Sequence, residues 1–278
     1  MTTSERFGIR QFEFVTHGPF KLNGERLLIR GTQRHEDHAG LGAAMTEDLI
    51  RQEMQMIKDV GANFIRLAHY QQSRIVLDLC DELGIMVWEE IPWCRSGIGN
   101  DAWQQQAHRM LRNMIDQHYN HPAVILWGLG NEDDWPGEFP SEDQQAIRAF
   151  MSQLNDEAHK LDPTRLTSIR RCDFAKDIPD VYSPSIWAGW YRGRYTEYKS
   201  SSICAVSRVE FFFALRVQVV RIHADAHSLV SSISEKPYVL FTNPGSANLR
   251  HMPKHSPGAC SCECRYEICR LTVGLQNR

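Results

Sequence analysis

From residue 26 onward the chain alternates between two hydrophobic rhythms. Short apolar runs, "RLLIRG" (26–31), "NFIRLA" (63–68), "IMVW" (85–88) and "AVILWGLG" (123–130), have the length and composition of buried strands. Between them lie segments with the three-to-four-residue period of amphipathic helices. "TEDLIRQEMQMIKDVG" (46–61) predicts a helix with Thr46 as N-cap and Gly61 closing it. "SRIVLDLCDELG" (73–84) predicts a second, also ended by a glycine, Gly84. A third carries its apolar stripe at Trp103, Ala107, Met110, Leu111, Met114 and Ile115. A fourth, opened by a Ser141…Gln144 capping box, presents Ile147, Phe150, Met151, Leu154 and Ala158. "RLTSI" (165–169) and "VYSPSIW" (181–187) complete six expected strands.

Strands alternating with helices imply a parallel sheet with right-handed crossovers, and continuous apolar strands imply burial on both faces. An open doubly wound sheet would satisfy this, but no glycine-rich phosphate loop follows the first strand. Polar residues recur instead at strand ends: Arg34-His35, His69-Tyr70, Glu89-Glu90, Asn131-Glu132 and Trp187. A (β/α)8 TIM barrel gathers such ends on one rim, where the active site is built. The expectation is therefore an α/β TIM barrel, incomplete because about six βα units are recognisable.

Composition sharpens this picture mainly near residue 203. All seven tryptophans lie at or before Trp190. Up to residue 202 there are 29 acidic and 22 basic residues (−7), and beyond it 5 and 9 (+4), so the net −3 hides two unlike halves. "VEFFFALRVQVV" (209–220) and "PYVLFT" (237–242) read as strands, with no amphipathic helix between or after them. The expected organisation is a remnant of a preceding β-sandwich domain over 1–19, the barrel over 20–202, and an atypical tail over 203–278, of the kind a shifted reading frame would produce. Nothing in the charge suggests nucleic acid or an anionic membrane as partner, and no run approaches a membrane span. The stretch "MTTSERFGIRQFEF" lacks a signal peptide's apolar core, an expectation of the cytoplasm. Cys80, Cys94, Cys172 and Cys204 read as reduced core thiols, while Cys260, Cys262, Cys264 and Cys269 lack the paired spacing of a structural zinc site.

The chemistry concentrates at "AVILWGLGNEDDW" (123–135), where an apolar strand stops at Asn131-Glu132. Glycoside cleavage needs a carboxylic acid to protonate the leaving oxygen, and a low-dielectric strand end between Trp127 and Trp135 suits one. Asn131 is a neutral donor suited to a sugar hydroxyl. The bland alternative is a strand cap that opens a loop.

The blocks "NHPAVILWGLGNE" (120–132) and "NFIRLAHY" (63–70) resemble the two signature patterns of glycoside hydrolase family 2, the β-galactosidase and β-glucuronidase family. "FKLNGERLLIRGTQRHEDH" (20–38) is similar to that family's lead into barrel strand one, and "WAGWYRG" (187–193) to its strand-six loop, so the likeness covers about residues 7–200. The resemblance implies a retaining β-glycosidase acting on a carbohydrate substrate without cofactor. It implies Glu132 as the general acid/base, Asn131 as the holder of the sugar 2-hydroxyl, and His35 and His69 as residues lining the sugar site. Arg66 would support the carboxylates, and Trp190 and Tyr191 would wall the sugar face. Cys94-Arg95-Ser96 stands where some members bind magnesium through Glu-x-His, so no metal is expected there, and Ser185 stands where an asparagine often contacts substrate. The nucleophile, a glutamate ending strand seven in the family, has no match, and Asp225 is the weak substitute. The alternative is a catalytically inactive barrel that at most binds carbohydrate.

Overall fold

A computed structural model describes residues 4, 6–15, 19–135, 143–186, 194 and 197, with the backbone of four short strands at 214–216, 218–221, 265–269 and 271–272. Three strands, β1 (Phe12–Phe14), β2 (Phe20–Leu22) and β3 (Glu25–Arg26), form an antiparallel meander. Asn23 and Gly24 turn β2 into β3 with φ of 53° and 82°, the left-handed pair that a two-residue hairpin loop demands. The meander spans both sides of residue 19.

Six parallel strands follow in chain order, each paired with the next: β4 (Gly31–Arg34), β5 (Phe64–Leu67), β6 (Met86–Glu90), β7 (Val124–Asn131), β8 (Leu166–Arg170) and β9 (Val181–Ser183). Helices α1 (Glu47–Asp59), α2 (Arg74–Leu83), α3 (Asp101–His118) and α4 (Gln144–Leu161) connect the first five. Short strands β10 (Ser185–Ile186), β11 (Ala214–Arg216) and β14 (Leu271–Thr272) form a small separate sheet. The last two, β12 (Gln218–Arg221) and β13 (Arg265–Cys269), join the main sheet, with β13 antiparallel beside β4. Among the described residues, β9 and β12 are the sheet's two edges, so the described strands form an incomplete barrel.

Helix ends follow local chemistry. Thr46 Oγ1 accepts from Leu49 N, Ser73 Oγ from Ile75 N, and Gly84 closes α2 at φ 64°. Two expectations shift. The N-cap of α4 is Asp143, whose Oδ1 accepts from Ala146 N at 2.9 Å, and Ser141 lies outside the described residues. Met110 is 36% exposed and leaves the buried stripe of α3.

The first strand is also displaced. Residues 27–30 of the apolar run lie outside the ladder; Ile29 and Leu27 pack in the lower core, and pairing with β5 begins at Gly31. The strand itself reads Gly-Thr-Gln-Arg, with polar side chains that are buried only because ionic and amide partners await them.

Alternation along the strands separates two cores. Outward residues Ile65, Leu67, Val87, Trp127, Leu129 and Ile169 pack against the helices, which supply Met54, Leu77, Leu111, Phe150 and Leu154. Inward residues Phe64, Met86, Trp88, Ile125, Leu126 and Val181 fill the lower barrel, and the meander covers them with Phe12, Phe14 and Phe20. Each of these large side chains contributes about 1.5–3 kcal/mol by leaving water. This apolar floor is what forces the inward polar residues toward the other end.

Candidate active site

At the C-terminal strand ends the alternation sorts each polar pair. Arg34 and Glu89 point outward: Arg34 bonds Glu53 of α1 and Gln72, and Glu89 Oε2 lies 2.7 Å from His118 Nδ1 of α3. Their neighbours Gln33, His35, Arg66, Glu90, Asn131 and Arg170 make the inward set. Of the histidines and arginine expected at the site, His35, His69 and Arg66 come together here.

Arg66 organises this set. It donates from Nε and Nη2 to the two oxygens of Glu90, at 2.9 and 2.7 Å, from Nη1 to Gln33 Oε1 at 2.9 Å, and from Nη2 to Asn131 Oδ1 at 2.8 Å. Five rigid donors on one planar group allow this branching. His69 Nδ1 lies 2.7 Å from Glu90 Oε1, and its ring meets that of His35 edge-to-face at 5.2 Å. The peptide joining Ala68 to His69 is cis. Burial opposes the charge on Glu90, but Arg66 and the His69 hydrogen bond outweigh it and hold its carboxyl below the usual range. Burial, with His69 and Arg66 behind it, pushes His35 down to about 4. Its ring is therefore neutral near pH 7. Because Gln33 Oε1 accepts from both Arg66 and Arg170, its Nε2 is the donor to His35 Nε2 at 2.9 Å, which leaves the ring proton on Nδ1.

Asn131 is fixed from both ends. Oδ1 accepts from Arg66, and Nδ2 donates to Cys94 Sγ at 3.2 Å, so the amide cannot flip without losing both. Burial holds the Cys94 thiol up at about 11, against the pull of that bond, so it is a neutral acceptor. Thus Cys94, in the stretch that the family resemblance sets against the Glu-x-His of some members, is an acceptor for Asn131.

Glu132 sits in the left-handed region at φ 56°. A residue with a Cβ pays about 1 kcal/mol or more there, and such strain concentrates at functional sites. Three backbone bonds enforce the turn: Asn131 N to Trp93 O, Arg95 N to Asn131 O, and Glu132 N to Arg170 O at 2.7 Å. The reversal delivers the carboxylate to Ser185, whose Oγ donates to Oε1 at 2.7 Å. The expected apolar flank is only half present. Trp127 faces the helices and donates Nε1–H to Asp162 at 2.9 Å, while Trp135 lies under the guanidinium groups of Arg95 and Arg171. Next in sequence, Asp133 folds back into the protein at 3% exposure. Burial, then Glu90, Asp134 and Glu132, push its carboxyl well above the usual range.

Trp190, Tyr191 and Asp225 lie outside the described residues. Sequence reading passed over Gln33, Glu90 and Arg170 as site members and treated Cys94 and Ser185 only as departures. Their one signal was polarity inside or at the end of strands. Among the described residues, Asp78, Asp81 and His121 also bring carboxylate and imidazole atoms within 4.8 Å, but Arg6 pairs with Asp78 and His121 with Asp81, so ion pairing explains them.

Six parallel strands ending in a polar, inward-facing rim define a TIM-barrel enzyme domain. The profile of glycosyl hydrolases family 2, TIM barrel domain, matches residues 14–202, more than half of the chain, and the chain belongs to that family of glycoside hydrolases. It is 51% identical over 201 residues to a putative β-glucuronidase of Formosa agariphila, covering 72% of this chain and 24% of that protein. A β-galactosidase of Thermoanaerobacterium thermosulfurigenes is 37% identical over 180 residues, covering 64% and 24%. Among solved structures, the β-glucuronidase of Parabacteroides merdae superposes with a TM-score of 0.74 at 67% identity, covering 76% of this chain and 26% of that one. β-Glucuronidase 3 of Bacteroides uniformis gives 0.72 and 64%, covering 74% and 26%. The chain thus spans about a quarter of the length of these relatives.

Proposed function

We propose that the chain is part of the catalytic domain of a retaining β-glycosidase of the β-glucuronidase and β-galactosidase type, with Glu132 as general acid/base. The observation that carries this reading is the strained Asn131-Glu132 turn, which presents a carboxylate oriented by Ser185 beside an amide locked by Arg66 and Cys94. In this reading Glu132 protonates the glycosidic oxygen as the bond breaks, then takes a proton from the water that attacks the glycosyl-enzyme. Asn131, His35 and His69 contact sugar hydroxyls. Arg66 positions Asn131 and Glu90. Glu90, held by two bonds from Arg66 and a contact with His69, is not free to attack, so the nucleophile is sought outside the described residues, where Asp225 is the candidate.

Release of nitrophenol from aryl β-glucuronides, β-galactosides and β-mannosides tests it. Glu132→Gln should lower turnover by on the order of 10²-fold or more, and azide, which needs no base to attack, should restore it as a glycosyl azide. Turnover unchanged in Glu132→Gln would remove Glu132 from the mechanism. A second reading, a carbohydrate binder without hydrolysis, is favoured by the engagement of Glu90. It requires a folded chain that turns nothing over yet binds sugar in a manner lost with Asn131→Ala.

A further inference from the structure

Three of the four non-glycine residues with positive φ among the described residues share one place. Arg95 (53°), Glu132 (56°) and Arg171 (51°) come after β6, β7 and β8, three neighbouring strands. Their backbones are tied to those strand ends. Arg95 N–H donates to Asn131 O at 2.8 Å, Glu132 N–H to Arg170 O at 2.7 Å, and Arg171 N–H to Ser183 O at 2.8 Å. A left-handed backbone is costly for a residue with a Cβ, and glycine would remove that cost. Both positions flanking Glu132 carry arginine instead, so the reason lies in the side chains.

The two arginines converge on one ring. The guanidinium carbon of Arg95 stands 4.2 Å from the centroid of Trp135, and that of Arg171 4.7 Å, within the range of cation–π attraction. Arg171 is steadied by Asp134, whose Oδ1 lies 3.1 Å from its Nε and whose Oδ2 accepts the Asp173 N–H at 2.9 Å. Trp135 is in turn tied to Glu132, donating its backbone N–H to Glu132 O at 3.2 Å. The chain is therefore held on both sides of the turn, by Arg170 O at the Glu132 N–H and by the clasped indole three residues later. With φ fixed in this way the carboxylate meets Ser185 Oγ, 2.7 Å from Oε1. A released turn would relax toward the ordinary backbone regions and swing the carboxylate off that line.

We infer that Arg95, Trp135 and Arg171 are positioning residues, a cation–π clasp that keeps the Glu132 turn left-handed and so aims its proton at the departing oxygen. This rests on the glycosidase reading. In that step the anomeric carbon–oxygen bond breaks, its electron pair stays on the oxygen, and the Glu132 proton neutralises it. The clasp acts through the backbone of Glu132.

The test compares phenyl and 2,4-dinitrophenyl β-glycosides of one sugar, whichever of the aryl panel the full chain hydrolyses fastest. Dinitrophenolate departs without a proton, whereas phenolate needs one. Trp135→Leu keeps apolar bulk but removes the π face. It should lower kcat/KM for the phenyl glycoside by about tenfold and for the dinitrophenyl glycoside by less than about twofold. Trp135→Phe should restore most of the loss. Arg95→Gln should act as Trp135→Leu does, and it decides the question if the leucine variant does not fold. Equal losses on both substrates would make the role merely structural and overturn the inference, as would no loss on either.

Urea unfolding judges the clasp without turnover. Glycine tolerates a left-handed backbone better than alanine, so Glu132→Gly should have a higher midpoint than Glu132→Ala in the otherwise unaltered chain. Adding Trp135→Leu or Arg95→Gln should shrink that difference, and an undiminished difference would overturn the inference. A chain that hydrolyses neither glycoside would count against the glycosidase reading, and the urea comparison then decides whether the clasp holds the turn.

Discussion

Arg66 and Glu90 meet in a two-bond ion pair, at 2.9 and 2.7 Å, with neither side chain exposed to solvent. The pair joins β5 to β6 and, through further bonds to Gln33 and Asn131, links four strands of the sheet at one level. Breaking one partner strands a buried charge, which typically costs about 3–5 kcal/mol. Glu90→Leu alone should lower the urea midpoint severely, and Arg66→Met with Glu90→Leu should lose less than the two single effects added. Additive losses would show that the pair does not act as a unit.

Acid should destabilise the protein in two stages. His35 binds its proton only near pH 4 when folded, against 6.5 ordinarily, so between those values the unfolded chain takes up a proton that the folded one refuses. Stability is therefore constant with respect to His35 above pH 6.5 and falls toward pH 4, by no more than about 3 kcal/mol. Glu90 has the same sign lower down: its folded carboxyl lies below the ordinary 4.5, so its contribution holds above that pH and fades beneath it. Chemical denaturation at a series of pH values should show the slope from 6.5 to 4, and His35→Gln should flatten it.

Asp133 works in the opposite sense. A buried carboxyl raised above its ordinary 3.8 keeps its proton while the unfolded chain gives it up, so stability declines as pH rises past that value. Asp133→Asn keeps a neutral side chain of similar shape. It should raise the melting temperature at pH 7 and remove that part of the pH dependence; a lower melting temperature would mean the carboxyl bonds something that an amide cannot.

Gly128 leaves no room for a side chain. A Cβ there would stand 2.3 Å from Glu90 Cβ and 2.5 Å from Trp88 Nε1, inside the rigid inner layer. Gly128→Ala should cost about 1–3 kcal/mol in denaturant unfolding and weaken sugar binding by displacing Glu90. A change smaller than half a kcal/mol would show that the strand yields.

Much of this was legible beforehand. Phe64, Ile65 and Leu67, and Val124 through Leu129, read as strands buried on both faces because short apolar runs between helical segments have strand length, and all of them are buried. The glycine after α2 and the threonine before α1 marked their helix ends through backbone geometry that acts over four residues. Glu132 stood out because a carboxylate follows eight apolar or small residues, and Asn131 because it adjoins it. Strand β4 was misplaced because its residues are polar, and a pattern rule cannot see partners supplied by β5, β8 and α1.

What the sequence determined by itself was the βα rhythm and the strand end where chemistry gathers, since both follow from local period and composition. Only the tertiary structure decided which member of each polar pair faces inward. Arg34 and Glu89 serve the helices, while Gln33, Glu90, Arg170 and Ser183 serve the interior, because a strand's two faces differ only once the sheet has curved and helices cover one side. The left-handed turn at Glu132 and its bond to Ser185 belong to the same category. They depend on hydrogen bonds from residues up to 53 positions away, which no local pattern encodes.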